Sequence, residues 1–239
     1  MTAPVGKVAL VTGGGRRIGA AISRALADAG YEVVLTYRAS AAEGKALAAR
    51  IGGSAVPLDL SRPSTFGRFA DRLGRKFGRI DLLVHNAGLF PRTPAGEVSP
   101  AAWDAVFDVN LRGPFLLTQA LLPLLGKGRG GAGILFLGDA NASELWPGYL
   151  PYCLSKLALP PLAAGLRKTL PPGVRVGIVR PGLALPPDRF PARRWARLRA
   201  SMAGRRGIRT PEGVARAVLQ FARAAKYNCQ TNPDRGGSQ

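Results

Sequence analysis

The chain has 239 residues, 46% hydrophobic and 20% charged, a globular composition with enough apolar side chains for one sizeable core. No apolar run reaches the roughly 18 residues of a membrane span, the single histidine (His85) excludes a multi-histidine metal site, and two cysteines, Cys153 and Cys229, offer no disulfide framework. The formal charge of +20 would attract anions, yet the basic residues are scattered apart from small clusters at Arg193–Arg199 and Arg205–Arg209, with no aromatic–basic interleaving of the single-strand-binding kind. The start, MTAPVGKVAL, lacks a signal-peptide layout, so a reducing cytoplasmic setting is expected, without membrane or specific nucleic-acid partners.

Val8 to Val11 is a short apolar run of the kind buried on both faces of a sheet. Gly13, Gly14 and Gly15 follow, then Ile18, Ala21, Ile22, Ala25 and Leu26 at helical spacing, closed by Gly30. Tyr31 to Tyr37 is a second strand, which completes a βαβ unit around a glycine turn. Such a turn lets backbone approach a pyrophosphate at a helix N-terminus. Gly13, Arg16, Arg17 and Ile18 are therefore expected at a dinucleotide, with Arg17 where a third glycine is usual. The second strand ends in Tyr37-Arg38-Ala39-Ser40, with no carboxylate before Glu43. A guanidinium there suits a 2′-phosphate, so the cofactor reading is NADPH, held by Tyr37, Arg38 and Ser40.

A helix over Ala41–Arg50 and a third strand over Ser54–Leu58 come next, the strand ending at Asp59-Leu60-Ser61. Asp59 and Leu60 are placed beside the adenine, although Asp59 could instead cap the helix expected from Pro63 to Phe77. A fourth strand, Ile80–His85, ends in Asn86-Ala87-Gly88. The pattern continues with a long helix over Pro100–Leu125 containing Asn110 and breaking gently at Gly113-Pro114, a glycine-rich loop to Gly133, and a strand over Ile134–Leu137 ending in Gly138-Asp139. A helix over Tyr152–Leu170, a strand over Val174–Val179 with Pro181-Gly182 after it, a basic segment over 186–209, and a helix starting at Thr210-Pro211-Glu212 complete the chain. Strands and helices alternate throughout. The expected fold is therefore a single α/β domain over 1–239, a doubly wound parallel sheet in three layers with its ligand at the carboxyl ends of the strands.

Tyr152 and Lys156 stand four apart, on one helix face. A tyrosine beside an ammonium and an oxidised nicotinamide is expected to have its pKa drawn down from about 10 toward the proton-transfer range. Together with the Thr12-Gly13 loop, Asp59, Asn86-Ala87-Gly88, Asn110 and Pro181-Gly182, this pair resembles the short-chain dehydrogenase/reductase superfamily over nearly the whole chain. The resemblance implies that Tyr152 is the catalytic acid, that Lys156 holds the nicotinamide ribose, and that Asn110 positions a water relay. It adds Asn86, Ala87, Gly88, Pro181 and Gly182 to the cofactor contacts. The family usually has a serine thirteen residues before the tyrosine; here Asp139 stands there. Arg17, Phe90 and Asp139 together are similar to the pteridine reductases and the bacterial dihydromonapterin and dihydrofolate reductases. Those three residues, with Tyr152, would contact a flat pterin reduced at a ring C=N. The resemblance also implies a homo-oligomer, a dimer or tetramer, and a substrate lid over 186–209.

Two departures stand out. Pro160-Pro161 falls inside the Tyr152–Leu170 helix, where proline costs about 3 kcal/mol and bends the axis. The end of the chain, with Pro233 and two charges, makes a poor buried strand. A carbonyl reductase, such as a 3-oxoacyl-thioester reductase, and a non-catalytic basic nucleotide- or nucleic-acid-binding protein remain as alternative readings.

Overall fold

The computed structural model describes residues 6–127, 131–186, 191–201, 207–208 and 210–224. The strands are β1 (Lys7–Val11), β2 (Tyr31–Tyr37), β3 (Ser54–Pro57), β4 (Leu82–His85), β5 (Ala132–Leu137) and β6 (Val174–Val179). They form one sheet in the order β3-β2-β1-β4-β5-β6, with every pair parallel. The helices are α1 (Arg17–Asp28), α2 (Ala41–Arg50), α3 (Phe66–Phe77), α4 (Pro100–Phe107), α5 (Gly113–Leu121), α6 (Leu150–Leu157), α7 (Leu159–Thr169), α8 (Ala192–Ser201) and α9 (Pro211–Arg223).

Alternation along β1 builds both faces of this Rossmann-like layer. Val8 and Leu10 pack with Phe66, Phe69 and Leu73 of α3, Leu117 and Leu121 of α5, and Leu159 and Leu166 of α7. Ala9 and Val11 pack on the other face with Ile22 and Leu26 of α1 and Val214, Val218 and Phe221 of α9. Phe221 lies across two strands at once. A Cβ on Gly133 of β5 would come within 2.8 Å of its ring, and one on Gly177 of β6 within 2.6 Å. The small residues in those strands are thus the socket for one large ring. Strand order reverses between β1 and β4, which opens a crevice at their carboxyl ends.

Several boundaries differ from the sequence expectation. The third strand ends at Pro57, one residue early. Ile80 makes only an isolated bridge to Leu125, so β4 begins at Leu82, and β5 begins at Ala132, two residues before the expected start. The first turn before α3, Pro63–Thr65, is a 3-10 turn. The long helix is α4, a π turn over Asp108–Arg112, then α5. Pro114 has no N–H for an i→i−4 bond, and Gly113 donates five residues back to Asp108 instead. The helix carrying Tyr152 starts earlier, at Leu150, and is interrupted at Ala158. The two prolines fall in the first turn of α7, where a missing N–H is tolerated, so the axis breaks rather than carrying proline in an interior.

Thr210 caps α9 by accepting from the Gly213 N–H at 3.0 Å, with Pro211 in the first turn. The doubtful last strand falls in 225–239, outside the described residues. Of the 186–209 lid, 187–190, 202–206 and 209 also lie outside them, as do 128–130 of the loop before β5. Among the described residues no helix is long and apolar enough to cross a membrane, and no His/Cys/Asp/Glu cluster could hold a metal.

Candidate active site

The carboxyl ends of the strands enclose one large cleft of about 1710 Å³. Its first wall is the glycine turn after β1. Gly13 has φ +61°, and its N–H donates to Thr36 Oγ1, while the Gly14 N–H donates to Thr36 O. Thr12 Oγ1 accepts from the Asn86 and Ala87 N–H groups, and the Asn86 amide donates to Thr12 O and Gly13 O. Strand ends β1 and β4 are thus laced together. A Cβ on Gly19 would sit 2.2 Å from Gly13 O, so the start of α1 can approach this close only without a side chain. No side chain caps that helix at Arg16, and Ile18 and Gly19 line the cleft. A glycine cradle at an uncapped, dipole-positive helix start fits a pyrophosphate. Arg17, where a third glycine is usual, holds φ +54°, a left-handed conformation that arginine seldom adopts. Its guanidinium donates to the Pro186 carbonyl, which ties the turn to the chain beyond β6.

At the β2 and β3 ends lie Tyr37, Arg38, Ser40, Asp59 and Leu60. Asp59 accepts from the Ser61 N–H at 3.0 Å and hydroxyl at 2.7 Å. Partial burial works to raise its pKa, but the Ser61 hydrogen bonds and the charges of Arg38 and Arg62 outweigh it and hold the carboxyl below the usual range. Arg38, whose charge helps to lower Asp59, lines the same cleft.

At the other end Tyr152 donates to Asp139 Oδ2 at 2.8 Å, and Asp139 Oδ1 accepts from the Asn141 N–H at 2.7 Å. Burial raises the Asp139 pKa against the pull of the Asn141 N–H, the Tyr152 hydroxyl and the Lys156 charge. Burial, followed by the charge and hydrogen bond of Asp139, pushes Tyr152 well above 10. This corrects the expectation of a lowered tyrosine: a carboxylate where the family has an uncharged serine opposes phenolate formation in the chain alone. Lys156 donates to Leu137 O at 2.8 Å, and burial draws its pKa down to about 8.

Asn110 does not line the cleft. It is 2% exposed in the π turn. Its amide donates to Leu89 O and Ser155 Oγ, both at 3.0 Å, and its oxygen accepts from the Leu89 N–H at 2.7 Å. Both amide protons are thus engaged by protein. Through them Asn110 joins the loop that carries Phe90 to the helix that carries Tyr152 and Lys156. All the other expected site residues, Gly88, Phe90, Pro181 and Gly182 among them, line the cleft.

Phe90 is 36% exposed. Tyr149 stacks on it at 4.5 Å, Tyr152 meets it edge-on at 4.4 Å, and Trp146 does so at 6.0 Å. Sequence reading did not single out Tyr149 or Trp146, nor Trp195, Arg197 and Leu198 of α8, which also line the cleft. The aromatic density of Trp146-Pro147-Gly148-Tyr149 just before the Tyr152 helix was the available signal.

A nucleotide cradle, a buried Tyr–Lys pair and a doubly wound parallel sheet define a class of oxidoreductase, and the profile of the short chain dehydrogenase family matches residues 7–194: the chain belongs to that family, whose members bind a nicotinamide cofactor. Among curated relatives, D-threitol dehydrogenase of Mycolicibacterium smegmatis is 36% identical over 191 residues, 75% of this chain and 71% of its own. A protein of Streptomyces violaceoruber named for the ketoacyl reductase 2 of the granaticin polyketide synthase is 32% identical over 230 residues, 93% of this chain and 92% of its own. Among solved structures, FolM alternative dihydrofolate reductase 1 of Brucella canis, complexed with NADP, superposes with a TM-score of 0.82 at 32% identity, covering 92% of this chain and 88% of that one.

Proposed function

We propose that this chain is an NADPH-dependent reductase of pteridine rings, acting on a dihydropterin or a dihydrofolate. The observation that carries the reading is the Tyr152–Asp139 hydrogen bond at 2.8 Å beside the exposed Phe90 ring. A dihydropterin is reduced at a ring C=N, so the site must deliver a proton to nitrogen. Burial raises the pKa of Asp139, so its carboxyl takes up a proton more readily than an exposed one and can pass it on, a role that a serine hydroxyl does not fill in the same way. The likeness to a dihydrofolate reductase of the same fold supports this choice.

When bound, the reduced nicotinamide supplies the hydride. The remaining roles fall on this chain. Gly13, Arg16, Arg17 and Ile18 hold the pyrophosphate at the start of α1. Tyr37, Arg38 and Ser40 take the 2′-phosphate, and Asp59 and Leu60 border the adenine. Asn86, Ala87, Gly88, Pro181 and Gly182 close around the nicotinamide end. Lys156, anchored on Leu137 O, presents its ammonium to the ribose. Tyr152 passes its proton to the ring nitrogen and is reprotonated through Asp139, which takes its own proton from water in the open cleft. Phe90 offers its exposed surface to the flat ring. Asn110 is a positioning residue, since it fixes both the Phe90 loop and the Tyr152 helix.

NADPH consumption with 7,8-dihydrobiopterin and 7,8-dihydrofolate tests the reading. Asp139→Ala is expected to lower kcat by about 10²-fold or more, in line with loss of a general acid. Undiminished turnover in both Asp139→Ala and Tyr152→Phe would refute the roles assigned. A second reading, reduction of a 3-oxoacyl thioester, draws support from the ketoacyl reductase relative that matches along nearly the whole chain. Turnover of an acetoacetyl thioester without any response to pterins would establish it in place of the first.

A further inference from the structure

We infer that the outer face of α3, continued onto the end of the sheet opposite the cleft, is a binding surface for the phosphate backbone of duplex DNA, engaged without regard to base sequence. The surface uses no residue of the cleft, so it stands apart from the pteridine reading.

The formal charge of +20 is a feature that neither coenzyme nor substrate accounts for. Charge of that size attracts polyphosphates over a long range, and its local concentration decides whether a surface exists. On α3 the two faces differ sharply. Phe66, Phe69, Ala70, Leu73 and Phe77 are buried, whereas Arg68, Arg72, Arg75 and Lys76 are exposed. Arg68, Arg72 and Arg75 recur at spacings of four and three, so they form one stripe along roughly 10 Å of helix. Asp71 is the one acid in α3. The basic surface continues past the helix. A Cβ on Gly74 would lie 3.2 Å from Leu124 Cδ2, and the Ile80 N–H donates to Leu124 O at 2.9 Å. These contacts bring the segment leading to exposed Lys127 up to the end of α3. Helix α7 finishes at the same end of the parallel sheet, with Lys168 exposed in its last turn.

Cations in a last helical turn also offset the helix dipole, but Arg68 and Arg72 precede the last turn of α3, and Lys127 lies in no helix. Among the described residues Arg68, Arg72, Arg75, Lys127 and Lys168 make no ion pair, while Asp81, at the start of β4, is taken up by Arg79 at 3.0 Å. What the face lacks selects the partner. A single strand stacks its bases on exposed aromatic rings, and the rings of α3 are all buried. A membrane surface takes apolar side chains, and none of the exposed large hydrophobic residues lies on α3 or in the segment at its end. A duplex presents phosphates, about one charge per 1.7 Å of axis. The stripe is on the scale of the B-form major groove, about 12 Å wide, whose phosphate edges it can bridge; the narrow groove of an RNA duplex offers no such fit.

Fluorescence anisotropy of a labelled DNA duplex of about two helical turns, titrated with the full chain, is the test. A micromolar or tighter Kd is expected at about 50 mM salt, with log K falling against log[salt] at a slope of about −4 to −5, as for five phosphate contacts. A duplex of permuted sequence should bind within about twofold, and saturating NADPH should leave binding unchanged. Replacing Arg68, Arg72 and Arg75 together by alanine should flatten the slope by about 2 to 3 and weaken binding at least about tenfold. Removing the same charge from the α1 and α9 side, with Arg24→Ala, Arg216→Ala and Arg223→Ala, should change the slope by less than about 1. Arg72→Glu alone, a single exposed change, should reproduce the direction of the first set even if the triple variant folds poorly. Absence of binding at low salt, equal losses in the two triple variants, or displacement of the duplex by NADPH would overturn the inference. So would tighter binding to a single strand, to an RNA duplex or to phosphatidylglycerol vesicles. None of these results bears on turnover of pteridines, which stands or falls by its own assay.

Discussion

The two ends of the cleft are made of different material. At the nucleotide end the cradle itself is backbone, glycines at β1 and N–H groups at α1, and the Thr12, Thr36 and Asn86 side chains steady it by bonding the strand-end backbone groups. At the substrate end nearly everything is side chain: a carboxyl–phenol pair, four rings, and an arginine on α8. Backbone recognition suits a ligand that never changes, because substitution cannot alter an N–H. Side-chain recognition can be retuned residue by residue without disturbing the sheet beneath. Among short-chain enzymes, then, the first end should carry the shared property and the second the individual one.

The largest effect that would sharpen this contrast is chemical. Tyr152→Phe removes the hydroxyl that touches Asp139 and should reduce kcat by about 10²- to 10⁴-fold, while NADPH affinity, followed by fluorescence titration, stays within about threefold. A parallel collapse of NADPH binding would show that the two ends are not separable.

Next in size is an acid-stability effect behind the nucleotide end. His85 is buried, stacks on Phe136 at 4.8 Å and meets Thr118 Oγ1 at 2.9 Å through Nε2, while Nδ1 has no partner. Thr118 donates to Pro114 O, so His85 Nε2 must be the donor in that pair. Burial lowers the His85 pKa from 6.5 to about 3. Between those values the unfolded chain binds a proton that the folded chain does not. The contribution is therefore whole above about pH 6.5 and is lost as pH falls toward 3, by about 1.4 kcal/mol per unit. His85→Gln should flatten that slope in urea melts taken from pH 7 to pH 4. An unchanged slope would mean that the acid sensitivity lies in other groups.

Arg38→Ala probes the charged side chain proposed for the 2′-phosphate. Loss of a charge-assisted bond to phosphate, worth about 1.5–3 kcal/mol, should weaken NADPH about 10- to 100-fold and leave NADH nearly unchanged. Equal weakening of both coenzymes would remove Arg38 from 2′-phosphate recognition. The smallest effect is Arg17→Gly, which relieves a left-handed arginine and should raise Tm by about 2–4 °C, the shift that about 1 kcal/mol gives in a chain of this size. A lower Tm would mean that the Arg17–Pro186 bond outweighs the strain.

Where the sequence pattern was local, the structure follows it closely. Tyr31–Tyr37, Ala41–Arg50 and Val174–Val179 hold their expected limits, because apolar runs, alanine-rich spacing and flanking glycines act over a few residues. The Tyr152–Asp139 pairing was legible through the family resemblance, which implies that the residue thirteen before the tyrosine lies at its hydroxyl. The π turn was only half legible. Pro114 announces a disruption, but where the extra residue is absorbed depends on packing: a Cβ on Gly113 would fall 2.4 Å from Leu60 O, a contact between distant segments. Trp146, Tyr149 and Arg197 were missed for the same reason. They lie in an irregular loop and a basic helix, and only the folded chain shows that both face one space. The direction of the Tyr152 shift was misread because the Tyr–Lys spacing says nothing of how deeply the hydroxyl is buried, which is the larger cause, and because the charge of Asp139 was not set against that of Lys156.

Asn110 has one more consequence. By clasping both the N–H and the C=O of Leu89, it gives an irregular loop the kind of protection usually confined to strands and helices. In a deuterium-exchange experiment the Leu89 amide should retain its hydrogen far longer than the amides of Phe90 and Arg92 just beyond it. The boundary between slow and fast exchange would then mark where the rigid frame ends and the adjustable aromatic wall begins.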